Sequence, residues 1–295
     1  MKRNYLTAGV CALASPAALA APGDILFQDD FESGSIASYT IVESTSDTGD
    51  DSAITYGFDY GSFGFTGISG TGLLLETDDA ITAFVNGLTI TTPISIKFDA
   101  IASAVSGGST EYLTAGVFDD LPLAFSDPPG PASDGVFVAA STDSDFRGGG
   151  DFAVFESFDG ADPTALSFMD AAANADSGTP FATILPAAGD AAAGVLEGRV
   201  AEFEIIIDGD RIQWFIDGFL LTDVTASKAA TGGVGIGIND PFPGFNNGGG
   251  VGTGTGTAFA IDNLLITEAA AIPEPSSLLL AAAGGLLIAR RRRTA

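Results

Sequence analysis

Histidine is absent from the 295-residue chain, and the single cysteine, Cys11, lies near its front. These gaps remove a Ser-His-Asp triad, a cysteine nucleophile, a Cys/His zinc site and any internal disulfide. A fold built from such a chain is held by its apolar core, and calcium, which takes oxygen ligands, is the metal its chemistry suits. Basic residues are also scarce, with 11 Lys and Arg against 38 Asp and Glu. Six of those bases stand at the ends, so residues 21–271 hold 37 acids against Lys97, Arg147, Arg199, Arg211 and Lys228, a net charge of −32. Such a surface repels phosphate backbones, which argues against nucleic-acid binding, while it attracts cations and resists precipitation. Long stretches of helical period are missing too. What is present is 22 Phe, 39 Gly and many short apolar runs, the composition of a globular chain rich in turns.

The two ends read as export signals. Lys2 and Arg3 precede an apolar stretch from Tyr5 to Leu13, and Ala18-Leu19-Ala20 supplies small residues for cleavage before Ala21, the pattern of a secretory signal peptide cut by signal peptidase. At the other end Pro273-Glu274-Pro275 leads through two serines into Leu278 to Ala289, all apolar or Gly, and then Arg290, Arg291, Arg292 and Arg293. Twelve residues make about 18 Å of helix against a hydrocarbon core of roughly 30 Å, a marginal permanent span. The arginines stay cytoplasmic by the positive-inside rule, which leaves the middle of the chain outside. Pro-Glu-Pro, short apolar segment and arginine cluster together resemble the PEP-CTERM sorting signal of Gram-negative bacteria. The resemblance implies an exosortase that recognises and cuts the tail during export, a cell-envelope, cell-surface or extracellular-matrix destination, and an association with exopolysaccharide and biofilm. A plain single-span membrane anchor fits the same charge and hydropathy. The organisation expected is a signal peptide at 1–20, an extracellular domain at 21–271, and a sorting segment with a short hydrophobic helix at 272–295.

The middle alternates in steps of two. Ala201, Phe203, Ile205 and Ile207 fall on one face and Glu202, Glu204 and Asp208 on the other. Turns at Asp208-Gly209 and Asp217-Gly218 then predict a three-stranded meander ending near Val224. Asn86-Gly87 between Ala80–Val85 and Leu88–Thr92 predicts a type I′ hairpin, with Ile94–Ala100 following. Further strands are expected at Ser38–Glu43, Leu73–Thr77, Tyr112–Phe118, Gly135–Ala140, Phe152–Ser157, Val234–Ile238 and Ala258–Thr267, and weak helical character at Met169–Ala175 and Ala187–Leu196. More than ten antiparallel strands without helical crossovers imply an all-β, two-sheet sandwich. Phe27-Gln28-Asp29-Asp30-Phe31-Glu32, the Ile207 to Gly218 hairpin and Phe259 to Leu264 resemble the concanavalin A-like and laminin-G-like jelly rolls. That resemblance implies adjacent first and last strands, bringing Asp29 and Asp30 near Asp262.

Candidate chemistry is sparse. Glu202 and Glu204 share a face about 7 Å apart, a spacing that suits glycosidase carboxylates, but Ile207 stands where a jelly-roll glucanase has its further Glu. Asp143-Ser144-Asp145 opens like a calcium loop that Arg147 and Val154 then break. Asp29, Asp30 and Asp262 are the better candidates for a structural Ca²⁺. Tyr56, Phe58 and Tyr60 alternate on one strand face, either as core or as a platform for sugar rings. The Gly248–Thr257 run has no Lys and no following helix, so it is no P-loop. The reading that results is a non-catalytic surface or matrix protein with exopolysaccharide as partner. Its rivals are a jelly-roll glycan hydrolase or lyase and a purely structural acidic component.

Overall fold

The computed structural model describes residues 23–32, 34–43, 53–60, 70–76, 80–90, 93–102, 112–118, 134–141, 152–161, 163–169, 196, 199–239 and 258–272. Fifteen strands form among them: β1 (Ile25–Asp29), β2 (Tyr39–Glu43), β3 (Ala53–Asp59), β4 (Thr71–Glu76), β5 (Ala80–Val85), β6 (Ile94–Ala102), β7 (Tyr112–Phe118), β8 (Gly135–Ser141), β9 (Phe152–Ser157), β10 (Thr164–Met169), β11 (Val200–Asp208), β12 (Arg211–Ile216), β13 (Phe219–Thr225), β14 (Gly233–Asn239) and β15 (Ala258–Glu268). One sheet, A, has the order β13-β12-β11-β6-β15-β4-β3, with β1 also paired to β15. The other, B, runs β10-β9-β8-β7-β14-β5-β2. Neighbours are antiparallel in both, so the expected two-sheet sandwich is the fold.

Why the sheets stack follows from their side chains. Ile96, Phe98, Phe203, Ile205, Trp214 and Ile216 of sheet A and Val117, Val136, Val138, Val154, Ile236 and Ile238 of sheet B are buried in one shared core. In sheet A, β11 and β12 keep the alternation of a half-buried sheet while β4 and the first part of β15 are buried on both faces, and β7, β8 and β9 of sheet B are apolar on both faces. On the face of sheet B turned from the core, Phe84, Phe118, Phe137 and Phe155 form an aromatic row with successive centroids 5.8, 5.7 and 5.3 Å apart. Gly235 lies under Phe84 and Gly116 under Phe137, where a Cβ would stand 2.9 Å from the ring and 2.6 Å from the Phe137 backbone.

Three local expectations are corrected. Asn86-Gly87 does not close a hairpin: no strand follows β5 directly, Ile90 makes one bridge to Gly232, and β6 lies in the other sheet. Asn86 instead spends its amide on anchoring, its side chain donating to Ala37 O at 2.9 Å and its backbone N–H to Ser38 O at 2.9 Å. Met169 ends a strand rather than opening a helix, because β10 pairs with β9 through Met169↔Phe152. Tyr56 and Phe58 do not share a face. Gly57, at φ +70°, makes a bulge that turns Tyr56 toward the main core and leaves Phe58 and Tyr60 against Leu74, Ile101 and Ala260 on the outer face. No helix among the described residues is long and apolar enough to cross a membrane, and the expected helix at 278–289 lies outside them.

Candidate functional site

The longest strand changes partner halfway along one side. The first part of β15 pairs with β4, from Ala258↔Glu76 to Ile261↔Leu73, and its last part pairs with β1, from Leu264↔Asp29 to Thr267↔Ile25. On its other side β15 follows β6 throughout, with a register shift between Asp262 and Leu265. At the changeover Asn263 adopts φ +51°, a left-handed conformation that Asn tolerates better than most residues. Its side-chain amide donates to Asp99 Oδ2 at 2.8 Å and its backbone N–H to Asp262 Oδ1 at 2.7 Å.

This bulge opens the surface of sheet A. One depression of about 540 Å³ is lined by Phe27, Gln28, Asp30, Ser38, Asn263 and Leu265 among others, and a second of about 390 Å³ by Lys97, Phe98, Asp99, Glu202, Asn263 and Leu265. Sharing Asn263 and Leu265, they form one groove across β1, β15, β6 and β11. Leu265 is its apolar side chain on the outer face, beside Gln28 and Lys97, while Phe27 turns with Ile266 toward the main core, and the surrounding side chains present amides, carboxylates and one ammonium group.

The electrostatics come from register. Asp262, Asp99 and Glu202 occupy directly opposed positions on β15, β6 and β11. Like charges opposed across strands repel, and two partners relieve this row: Lys97 Nζ reaches Glu202 Oε1 at 2.9 Å, and Asn263 serves Asp99. Asp262 is the strained member. Burial, and then the charges of Asp99 and Glu32, hold its carboxyl above the ordinary carboxylate range despite the Asn263 N–H. Tyr60, buried beside it, is pushed well above the usual phenol range, first by desolvation and then by Asp262.

The residues expected to hold calcium are partly brought together. The first and last strands do lie side by side, as the pairing of β1 with β15 shows. Asp29, however, is spent on protein donors: Tyr56 Oη and Phe31 N–H donate to Oδ1, each at 2.8 Å, and Tyr39 Oη donates to Oδ2 at 3.0 Å. Asp30 accepts the Glu32 N–H at 3.2 Å. Among the described residues no three acidic side chains gather in a metal-holding group. Glu202 and Glu204 share the outer face of β11, the first paired with Lys97 and the second accepting the Ser95 hydroxyl at 3.0 Å. The Asp143–Gly148 loop, the leader residues Ala18, Ala20 and Ala21, and Pro273, Glu274, Pro275 and Arg290–Arg293 lie outside the described residues. Asn263 and Asp99 escaped the reading of the sequence. The only trace of the bulge is a break in alternation, since Asp262 and Leu265 share a face although three residues apart.

Taken together, the chain is an all-β antiparallel two-sheet sandwich followed by a protein-sorting motif. Residues 271–293 match the PEP-CTERM protein-sorting motif, which marks the chain for export and membrane-associated sorting. No curated protein matches it in sequence. Among solved structures it is similar to a Bacillus subtilis protein of unknown function with a galectin-like fold, at 9% identity and TM-score 0.53, covering 86% of this chain and all of that one. It is also similar to the carbohydrate-binding module CBM66 from Bacillus subtilis (12% identity, 78% and 96% covered, TM-score 0.42) and to a Bacillus licheniformis β-glucanase (11%, 83% and 98%, 0.44). At these identities the likeness concerns the fold.

Proposed function

We propose that this exported protein is a non-catalytic carbohydrate-binding component of the cell surface or matrix, sorted by an exosortase, and that it holds exopolysaccharide in the β15 groove. The groove itself is the supporting observation. Leu265 gives an apolar contact for sugar C–H faces, while Gln28, Asn263 and Lys97 donate and Asp30 and Ser38 accept, the mixture that hydroxyl-rich ligands need. The surrounding acids favour neutral or amino sugars over uronic acids. In a pull-down with the host's own exopolysaccharide, the processed protein is retained and Asn263→Ala together with Gln28→Ala lowers retention several-fold; equal retention of the variant moves binding elsewhere. No retention of the wild type favours the purely structural reading.

A hydrolase is the second reading, favoured by Asp262, which stands opposite the groove residue Asp99 and whose carboxyl is held above its ordinary range and so suited to donate a proton. Glycan cleavage by the purified protein that disappears in Asp262→Asn carries that reading. Cleavage surviving in that variant removes it, and Glu202 and Glu204 are poorer starting points because each is already partnered.

A further inference from the structure

Beyond β15 the chain does not leave the sandwich at once. Glu268 N–H donates to Asp24 O at 2.9 Å, Ala269 N–H to Pro93 O at 3.0 Å, and Ile272 N–H to the Asp208 carboxylate at 2.7 Å. These acceptors stand at the entry to β1, the entry to β6 and the last residue of β11. The 268–272 segment therefore crosses the end of sheet A from β15 over β6 to β11, about 10 Å at two strand spacings. Since the sorting motif begins at residue 271, its second residue, Ile272, is already held on the folded domain.

We propose that Asp208 is a positioning residue for tail processing: its carboxylate docks Ile272, and the docked strap sets how fast the tail is cut. The inference rests on the reading that the tail is cut. Residues 273–277 are all that separate Ile272 from the apolar stretch beginning at Leu278, and fully extended they reach at most about 18 Å. A membrane-embedded enzyme cutting near Pro273–Pro275 must work within that gap, under the end of the sandwich. Releasing residues 269–272 lengthens the free spacer by up to about 14 Å. The other two bonds use backbone acceptors that no side-chain change removes, so the Asp208 carboxylate is the replaceable end of the strap.

Two measurements on the full-length chain test this. Pulse-chase in the host, with the tail followed by mass, is expected to show Asp208→Ala cut about twofold faster or more, the scale of one lost charge-assisted hydrogen bond. Asp208→Asn, which keeps an acceptor oxygen, stays near wild type. A flexible Gly-Ser insertion between Ile272 and Pro273 speeds the wild type and adds little to Asp208→Ala. Amide exchange of the detergent-solubilised chain is expected to show Ile272 exchanging roughly tenfold faster in Asp208→Ala with Ile205 unchanged. Equal exchange at Ile272 overturns the docking. Unequal exchange with equal cutting overturns only the rate-setting role, and a tail left whole in every chain, wild type included, overturns the reading that it is cut.

Discussion

Two carboxyls of sheet A respond to acid in opposite senses. Asp262 is held above its ordinary range in the fold, so its ionisation is uphill there: the penalty is absent below the unfolded-state range and grows as pH rises through the folded value. Asp262→Asn keeps an acceptor for the Asn263 N–H and removes the charge. Thermal melts are expected to show it more stable than wild type at neutral pH, with the gain vanishing in acid; a gain independent of pH would mean that charge is not its cause. Asp223 is the reverse. Hydrogen bonds from Arg211, at 2.8 and 2.6 Å, and from Gln213 hold it low, so its contribution is full above the ordinary range and lost as pH falls through the depressed value. Trp214 is fully buried between Phe152 and Phe203, and its indole N–H has no hydrogen-bond partner among the described residues. Trp214→Ala is expected to cost about 3–5 kcal/mol, whereas Trp214→Phe, which also deletes an unsatisfied donor, costs less than about 2 kcal/mol in denaturant unfolding. The burial of Trp214 was legible from its place in the alternation of β12. Its orphaned N–H was not, because a partner's absence depends on the opposite sheet.

Turns that look alike in sequence do different work in the elements. At Asp217-Gly218 both residues have positive φ, +49° and +75°, and Ile216 faces Phe219 across them, the two-residue turn that Asp-Gly predicts. At Asn86-Gly87 only Gly87 is positive, and the chain passes to the other sheet. The sequence signal is local, whereas the competing anchor on Ala37 and Ser38 lies nearly fifty residues upstream. That contrast explains what could be read beforehand: strand positions and the β11–β13 meander follow from neighbours in the chain, while sheet membership, the Gly57 bulge and the partner change at Asn263 follow from distant strands. Gly218→Ala is expected to cost about 1 kcal/mol in chemical denaturation, the strain of a Cβ in left-handed backbone. The Asp29 tie joins β1 to β2 and β3, and therefore one sheet to the other. Asp29→Ala leaves two tyrosine hydroxyls without their acceptor and is expected to cost about 2–4 kcal/mol, against about 1 kcal/mol for Tyr56→Phe.

At the scale of the whole chain 38 acids face 11 bases, and self-repulsion dominates the response to salt. Melting temperature is expected to rise with ionic strength and to rise equally with Mg²⁺ and Ca²⁺, without saturation; a saturable rise specific to Ca²⁺ would establish a true site and return attention to Asp30 and Asp262. Topology also dictates the order of events during secretion. Among the described residues the last strand, β15, lies inside sheet A, between β6 on one side and β4 and β1 on the other. A polypeptide made from its front end therefore cannot complete that sheet until residues 258–268 are available, immediately before the sorting motif at 271–293. Closure of the sheet and emergence of the sorting motif are thereby made to coincide, and an incomplete chain waits with an open seam for the strand that closes it.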